Sequence, residues 1–176
     1  MSLNESTKAR ASSLNASTLE RFSKEVAKYP AEQKQSAVMA CLAIVQQEQG
    51  WVSAEAEAQV ADYLGMPAIA VREVTTFYNM YNQQPVGKYK LNVCTNLPCQ
   101  LRDGQKALEH LCRSLGIEDG GTSADGLFTV AKCECLGACA DAPVMLVNDR
   151  QMLSYMEPAK LDELIGLIRA EEGKVA

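Results

Sequence analysis

From Leu19 to about Gln83 the apolar residues recur at the three- and four-residue spacing of helices with one buried face. Leu19, Phe22, Val26 and Tyr29 form one stripe, stopped at Pro30. Val38, Cys41, Leu42 and Val45 form a second that runs to Gly50, where a glycine cap closes the last turn. Ser53 is placed to cap a third helix through Val60, Tyr63 and Leu64, which Gly65 ends. Pro67 suits the first turn of a fourth, carrying Val71, Val74, Phe77, Tyr78 and Tyr81. Short helices separated by tight Pro and Gly breaks predict a small helical bundle, with its aromatic residues, Trp51 among them, in the core.

The period changes after Gln83, Gln84, Pro85, Val86 and Gly87. Lys88 to Val93 alternates polar and apolar residues, which predicts a strand with one solvated face. Leu108, Leu111, Cys112 and Leu115 then mark a helix with Gly116 behind it, and Leu127 to Ala131 a second strand, parallel to the first if the helix is a crossover. Val144 to Val147 and Gln151 to Tyr155 flank Asn148, Asp149 and Arg150 as a hairpin. Pro158 starts a terminal helix with Leu161, Leu164, Ile165 and Ile168 inward. The order strand, helix, strand, strand, strand, helix is that of a thioredoxin-like α/β domain. The fold class expected is therefore mixed, α+β in its layout, with an amino-terminal small helical bundle at 19–83 and a thioredoxin-like domain at 84–176. Residues 1–18, rich in Ser, Asn and Ala, have little to bury and are expected to form a flexible leader.

Composition narrows the function classes. With 17 basic against 22 acidic side chains and a net charge of -5, nucleic acid and anionic membranes are poor partners. The longest apolar runs fall far short of the ~20 residues needed to span a bilayer. Seven cysteines are too few for a disulfide scaffold and, being odd in number, cannot all pair. A reducing compartment and cysteine used as ligand or core filler follow. No dinucleotide-binding glycine fingerprint, Walker A loop or C-x-x-C redox pair is found in the sequence.

The chemistry concentrates in two cysteine pairs. Cys94 and Cys99 form a C-x4-C pair just past the first strand, and Cys135 and Cys139 a C-x3-C pair after the second. Four thiolates converging from two loops are what an iron-sulfur cluster or a tetrahedral zinc site requires. Spacing alone does not choose between those metals. The loop residues Thr95, Asn96 and Leu97, and Leu136, Gly137 and Ala138, offer backbone donors and no acid, as an anionic cluster prefers; Glu134 and Asp141 flank the loops. Cys133 could compete as a ligand but also reads as a small strand-end residue. Cys41 and Cys112 lie on apolar stripes as packed thiols, and His110, the only histidine, falls on the exposed side of its helix.

Cys94-Thr-Asn-Leu-Pro-Cys99 and Glu134-Cys135-Leu-Gly-Ala-Cys139, preceded by Thr76-Phe77-Tyr78 and Gln84-Pro85-Val86-Gly87, resemble the E-type subunit family of NADH-quinone oxidoreductase. These are the thioredoxin-like [2Fe-2S] ferredoxin subunits of respiratory complex I, and the resemblance covers roughly residues 19–170. It implies one [2Fe-2S] cluster held by Cys94, Cys99, Cys135 and Cys139, on a thioredoxin-like [2Fe-2S] ferredoxin domain. It further implies a flavin- and NADH-binding partner subunit, with FMN and NADH on that partner alone, and an electron-carrying role without catalysis by the isolated chain. The expected location is cytoplasmic and peripheral to the inner membrane through the complex. An equivalent subunit of an NAD-linked hydrogenase or formate dehydrogenase, and a zinc-stabilised interaction module, are the alternatives.

Overall fold

A computed structural model describes residues 14–175, and the chain divides into two compact units, one ending at Pro85 and the other starting at Val86. Residues 1–13 of the expected leader lie outside the described residues. Its last four residues are not leader: the Asn15 side chain accepts the Thr18 N–H at 2.9 Å and starts helix α1 (Ala16–Val26), and Thr18 is buried.

The first unit continues through a 3-10 segment (Ala31–Ala37) to α2 (Val38–Gln49), α3 (Ala54–Leu64) and α4 (Ala68–Phe77). Gly50 and Gly65 end α2 and α3 with φ of 82° and 65°, a left-handed cap that glycine adopts without steric cost. Ser53 accepts the Ala56 N–H, as the expected cap of α3. Phe22, Leu42, Val45, Val60, Leu64 and Val71 fill the core.

The aromatic stripe departs from expectation. Leu19 and Tyr29 are exposed, Trp51 is half-buried, and Phe77 is 80% exposed. The cause lies at the end of α4, where the chain turns extended at Tyr78, so that Phe77 occupies a final turn with no core to face. Tyr81 comes back to the core instead, its hydroxyl donating to the Met39 carbonyl at 2.9 Å. On α3 the buried Glu57 carboxylate accepts from Thr75 and from Arg72 at 3.1 Å, which pins α4 to α3.

The second unit consists of β1 (Tyr89–Cys94), α5 (Leu97–Leu101), α6 (Gly104–Leu115), β2 (Phe128–Cys133), β3 (Met145–Val147), β4 (Gln151–Leu153) and α7 (Pro158–Val175). The sheet order is β2-β1-β3-β4, with β1 and β2 parallel and the other pairs antiparallel. Leu91, Val93, Phe128, Val130, Met145 and Val147 face Ala107, Leu108 and Leu111 of α6 and Leu161, Ile165 and Ile168 of α7. One face of the sheet therefore carries both long helices.

The alternate face of β1 is not the solvated one its polarity suggested. Lys90 and Asn92 are 8% exposed. Asp149 accepts from the Lys90 ammonium at 3.2 Å and from the Asn92 amide at 2.7 Å, so burial leaves neither unpaired. Asp149 and Asn148 form the β3–β4 turn in left-handed conformations that Asn and Asp tolerate better than most residues.

Candidate metal centre

Both cysteine pairs arise where the parallel strands β1 and β2 run out. Cys94 ends β1 and is buried. Two residues on, the Asn96 side chain accepts the Leu97 N–H at 3.1 Å and starts the short helix α5, which Pro98 enters without losing a hydrogen bond. One turn of α5 brings Cys99 back beside Cys94. These two thiols form a buried cluster with Ala142 and Val144, against which Cys133, Leu136 and Ala138 pack.

The second loop is open to solvent. After β2 the chain passes Glu134 to Cys135, turns at Gly137 with φ of 80°, and reaches Cys139 at the start of a 3-10 turn (Cys139–Asp141). The Cys135 and Cys139 sulfurs lie 3.4 Å apart, and both residues are exposed. The Gly137 N–H donates to the Cys135 sulfur at 3.4 Å. That bond, with the Cys139 thiol second, holds the Cys135 thiol below its ordinary range, whereas the hydrogen bond with Cys135 pushes the Cys139 thiol above its own. Burial pushes the Cys99 thiol up, with Cys94 and Cys139 adding to the rise against an opposing backbone hydrogen bond from Val144.

The structure thus offers the four thiols as two pairs, one dry and one wet, and among the described residues no three Cys, His, Asp or Glu side chains are gathered closely enough to hold a single ion. Two thiolates on one tetrahedral metal, with bonds of about 2.3 Å, sit about 3.8 Å apart, close to the Cys135–Cys139 spacing. A two-iron core takes two protein ligands on each iron, so paired thiols of this kind suit it. The two acids that flank the loops are engaged by other side chains: Glu134 is turned onto Asn96, whose amide donates to it at 2.7 Å, and Asp141 accepts from the Tyr155 hydroxyl at 2.8 Å.

The other singled-out residues fall elsewhere. Cys133 ends β2 directly opposite Cys94 in the parallel register, half-buried beside the first pair. Cys41 is fully buried in the helical core and Cys112 half-buried on α6. The His110 ring nitrogen contacts the Asp162 carboxylate at 2.7 Å, joining α6 to α7. Sequence reasoning missed the Asn96–Glu134 contact and Gly104, whose absent side chain lets α6 abut the first cysteine loop. The Asn-Leu-Pro run, an N-cap before a proline, was the available signal for α5.

A thioredoxin-like sheet with paired thiols beyond its parallel strands defines a class of iron-sulfur electron carriers. The chain belongs to the thioredoxin-like [2Fe-2S] ferredoxin family, which it matches over residues 22–169. It is 41% identical over 144 residues to NADH-quinone oxidoreductase subunit 2 of Thermus thermophilus, covering 82% of this chain and 80% of that protein. Identity to an E-type NADH-quinone oxidoreductase subunit of Rhizobium meliloti is 39% over 153 residues, covering 87% and 89%. With the E-type NADH-quinone oxidoreductase subunit of Rickettsia prowazekii it is 40% over 141 residues, covering 80% and 79%. The fold also matches an NAD+-reducing [NiFe]-hydrogenase in the air-oxidized state, with a TM-score of 0.65, at 24% identity over 77% of this chain. That match spans only 23% of the hydrogenase chain and speaks for the fold alone.

Proposed function

We propose that this chain is an electron-carrying subunit of NADH-quinone oxidoreductase that holds one [2Fe-2S] cluster through Cys94, Cys99, Cys135 and Cys139. The observation that carries the reading is the 3.4 Å Cys135–Cys139 pair, on a loop whose Leu136 and Ala138 pack against the buried Cys94 and Cys99, in a family named for that cluster. When bound, the cluster supplies reversible one-electron chemistry.

The chain's own residues then divide the work. Cys94 and Cys99 would hold one iron from the buried side, in the apolar cluster they form with Ala142 and Val144. Cys135 and Cys139, both exposed, would hold the other from the side open to a redox partner. The Gly137 N–H stabilises negative charge on Cys135 sulfur, one of the donors by which such proteins set the potential of their centre.

The partner in this reading is the flavin- and NADH-binding subunit, where FMN splits a hydride into single electrons. Names of relatives at about 40% identity support NADH-quinone oxidoreductase over the hydrogenase or formate dehydrogenase alternative. Among the described residues no helix is long and apolar enough to cross a membrane. The proposed place, peripheral to the membrane on the cytoplasmic side, follows from the proposed membership of the complex.

The test is anaerobic. The isolated protein carries about two irons and two acid-labile sulfides per chain and gives a one-electron paramagnetic signal with dithionite, but not with NADH. Adding the flavin subunit lets NADH reduce it. Stoichiometric zinc without sulfide, in protein never exposed to oxidant or chelator, refutes the cluster; rapid reduction by NADH in the flavin-free chain refutes the division of labour.

A further inference from the structure

We propose that Asn96 is a positioning residue that latches the two cysteine loops together through Glu134. The proposal rests on the reading of the four cysteines as ligands of one cluster. Asn96 lies inside the first loop, between Cys94 and Cys99, and Glu134 immediately precedes Cys135. Their side chains meet at 2.7 Å although 38 positions separate them in sequence.

The Asn96 amide works at both ends. Its oxygen accepts the Leu97 N–H, which starts the helix carrying Cys99, and its NH2 group donates to the Glu134 carboxylate. That chemistry fixes the orientation of the amide, because a flipped side chain would set its NH2 against the Leu97 N–H and its oxygen against a carboxylate. One group therefore starts the helix of the buried pair and reaches across to the loop of the exposed pair. At the base of the same two loops, the Thr95 N–H donates to the Cys133 carbonyl at 3.3 Å. The side-chain contact is the second tie, one residue further along each loop.

A carboxylate beside an anionic iron-sulfur site is electrostatically unfavourable. The Asn96 amide holds the Glu134 carboxylate on the first loop in a charge-assisted hydrogen bond stronger than a neutral one, although the charge itself remains. The latch limits how far the exposed Cys135–Cys139 loop can move from the buried pair, and a cluster bridging the pairs depends on that separation.

The test uses the full chain with its cluster, following the visible bleaching rate under an iron chelator and the electron paramagnetic resonance of the dithionite-reduced form. Asn96→Asp keeps the helix cap but opposes two carboxylates, and it speeds bleaching by roughly three- to tenfold, the range of a lost exposed hydrogen bond. Asn96→Asp with Glu134→Gln rebuilds the bond with donor and acceptor exchanged and returns the rate and the spectrum toward wild type. Glu134→Ala separates a latch from a mere charge: removing only a negative charge near an anionic site slows bleaching, whereas removing the latch speeds it. Should Asn96→Asp fail to load, Glu134→Ala decides alone. Wild-type bleaching rates in Asn96→Asp and Glu134→Ala, or a double variant no slower than Asn96→Asp, overturn the latch and leave the ligand reading standing. A wild-type chain without a [2Fe-2S] spectrum overturns both.

Discussion

Gly104 faces the carbonyl oxygen of Cys94 so closely that a Cβ on it would lie 2.7 Å away, with the Cys99 carbonyl at 2.9 Å. Helix α6 thus begins directly beneath the first cysteine loop, and both obstacles are backbone atoms that cannot swing aside. The loop and the helix have to be treated as one packed object.

Gly104→Ala is expected to cost about 1–3 kcal/mol, the usual penalty for forcing atoms into a filled space. Gly166→Ala on α7 is the control, because its Cβ meets nothing within 4 Å and the change gains about 0.5–1 kcal/mol of helix preference. Thermal unfolding of the two variants should move in opposite directions. A neutral Gly104→Ala contradicts the close approach.

Serine replacements should sort the thiols. At Cys94, Cys99, Cys135 or Cys139 they should abolish or strongly alter the visible spectrum of the anaerobically purified protein. At Cys41, Cys112 or Cys133 they should leave it largely intact. A chain bleached by Cys133→Ser but not by Cys135→Ser means that the residue opposite Cys94 is the ligand.

Burial pushes the Cys41 thiol up to about 12, helped by the Glu25 charge. A thiol raised in the folded state keeps its proton where the unfolded chain loses it, so its stabilisation is whole below the unfolded value of ~8.5 and declines as pH rises from there toward 12. Urea midpoints should therefore fall more steeply between pH 8 and 10.5 in wild type than in Cys41→Ala. Equal slopes contradict the assignment. Under native conditions at pH 8, alkylating reagents should leave Cys41 unmodified.

Arg72→Ala leaves the buried Glu57 carboxylate with Thr75 but no cation. It is expected to cost about 1–3 kcal/mol, less than a fully buried pair because the Arg72 side chain is 43% exposed. Arg72→Ala with Glu57→Gln should recover part of the loss, as chemical denaturation of the pair of variants would show.

What could be read in the sequence was local. Gly50, Ser53 and Gly65 mark helix ends by their own backbone chemistry, and α2 and α3 begin or end at those residues. The parallel β1–β2 pair and the Asn148–Asp149 turn were legible for the same reason: a helix between two apolar strands and two turn-forming residues leave few alternatives. The cysteine spacing put both pairs at strand ends. What failed depended on residues distant in the chain. Periodicity could not reveal that α4 stops at Phe77, nor that Lys90 and Asn92 find Asp149 more than fifty positions away and can therefore be buried. Asn96 and Glu134 each looked like ordinary loop residues, because a contact between two loops leaves no mark in either.

The segment that leads into β2 has a consequence for association. Along the free side of that strand, Phe128 exchanges hydrogen bonds with Ser123, Val130 with Gly120 and Gly121, and the Lys132 N–H goes to the Asp119 carboxylate. At the opposite border β4 spans only Gln151–Leu153. One rim of the sheet is already hemmed by its own chain and the other is too short to template a neighbour. Another polypeptide cannot join this domain by extending the sheet at β2. Recognition is left to side chains and loop tips, where specificity is written residue by residue rather than by the repeating backbone.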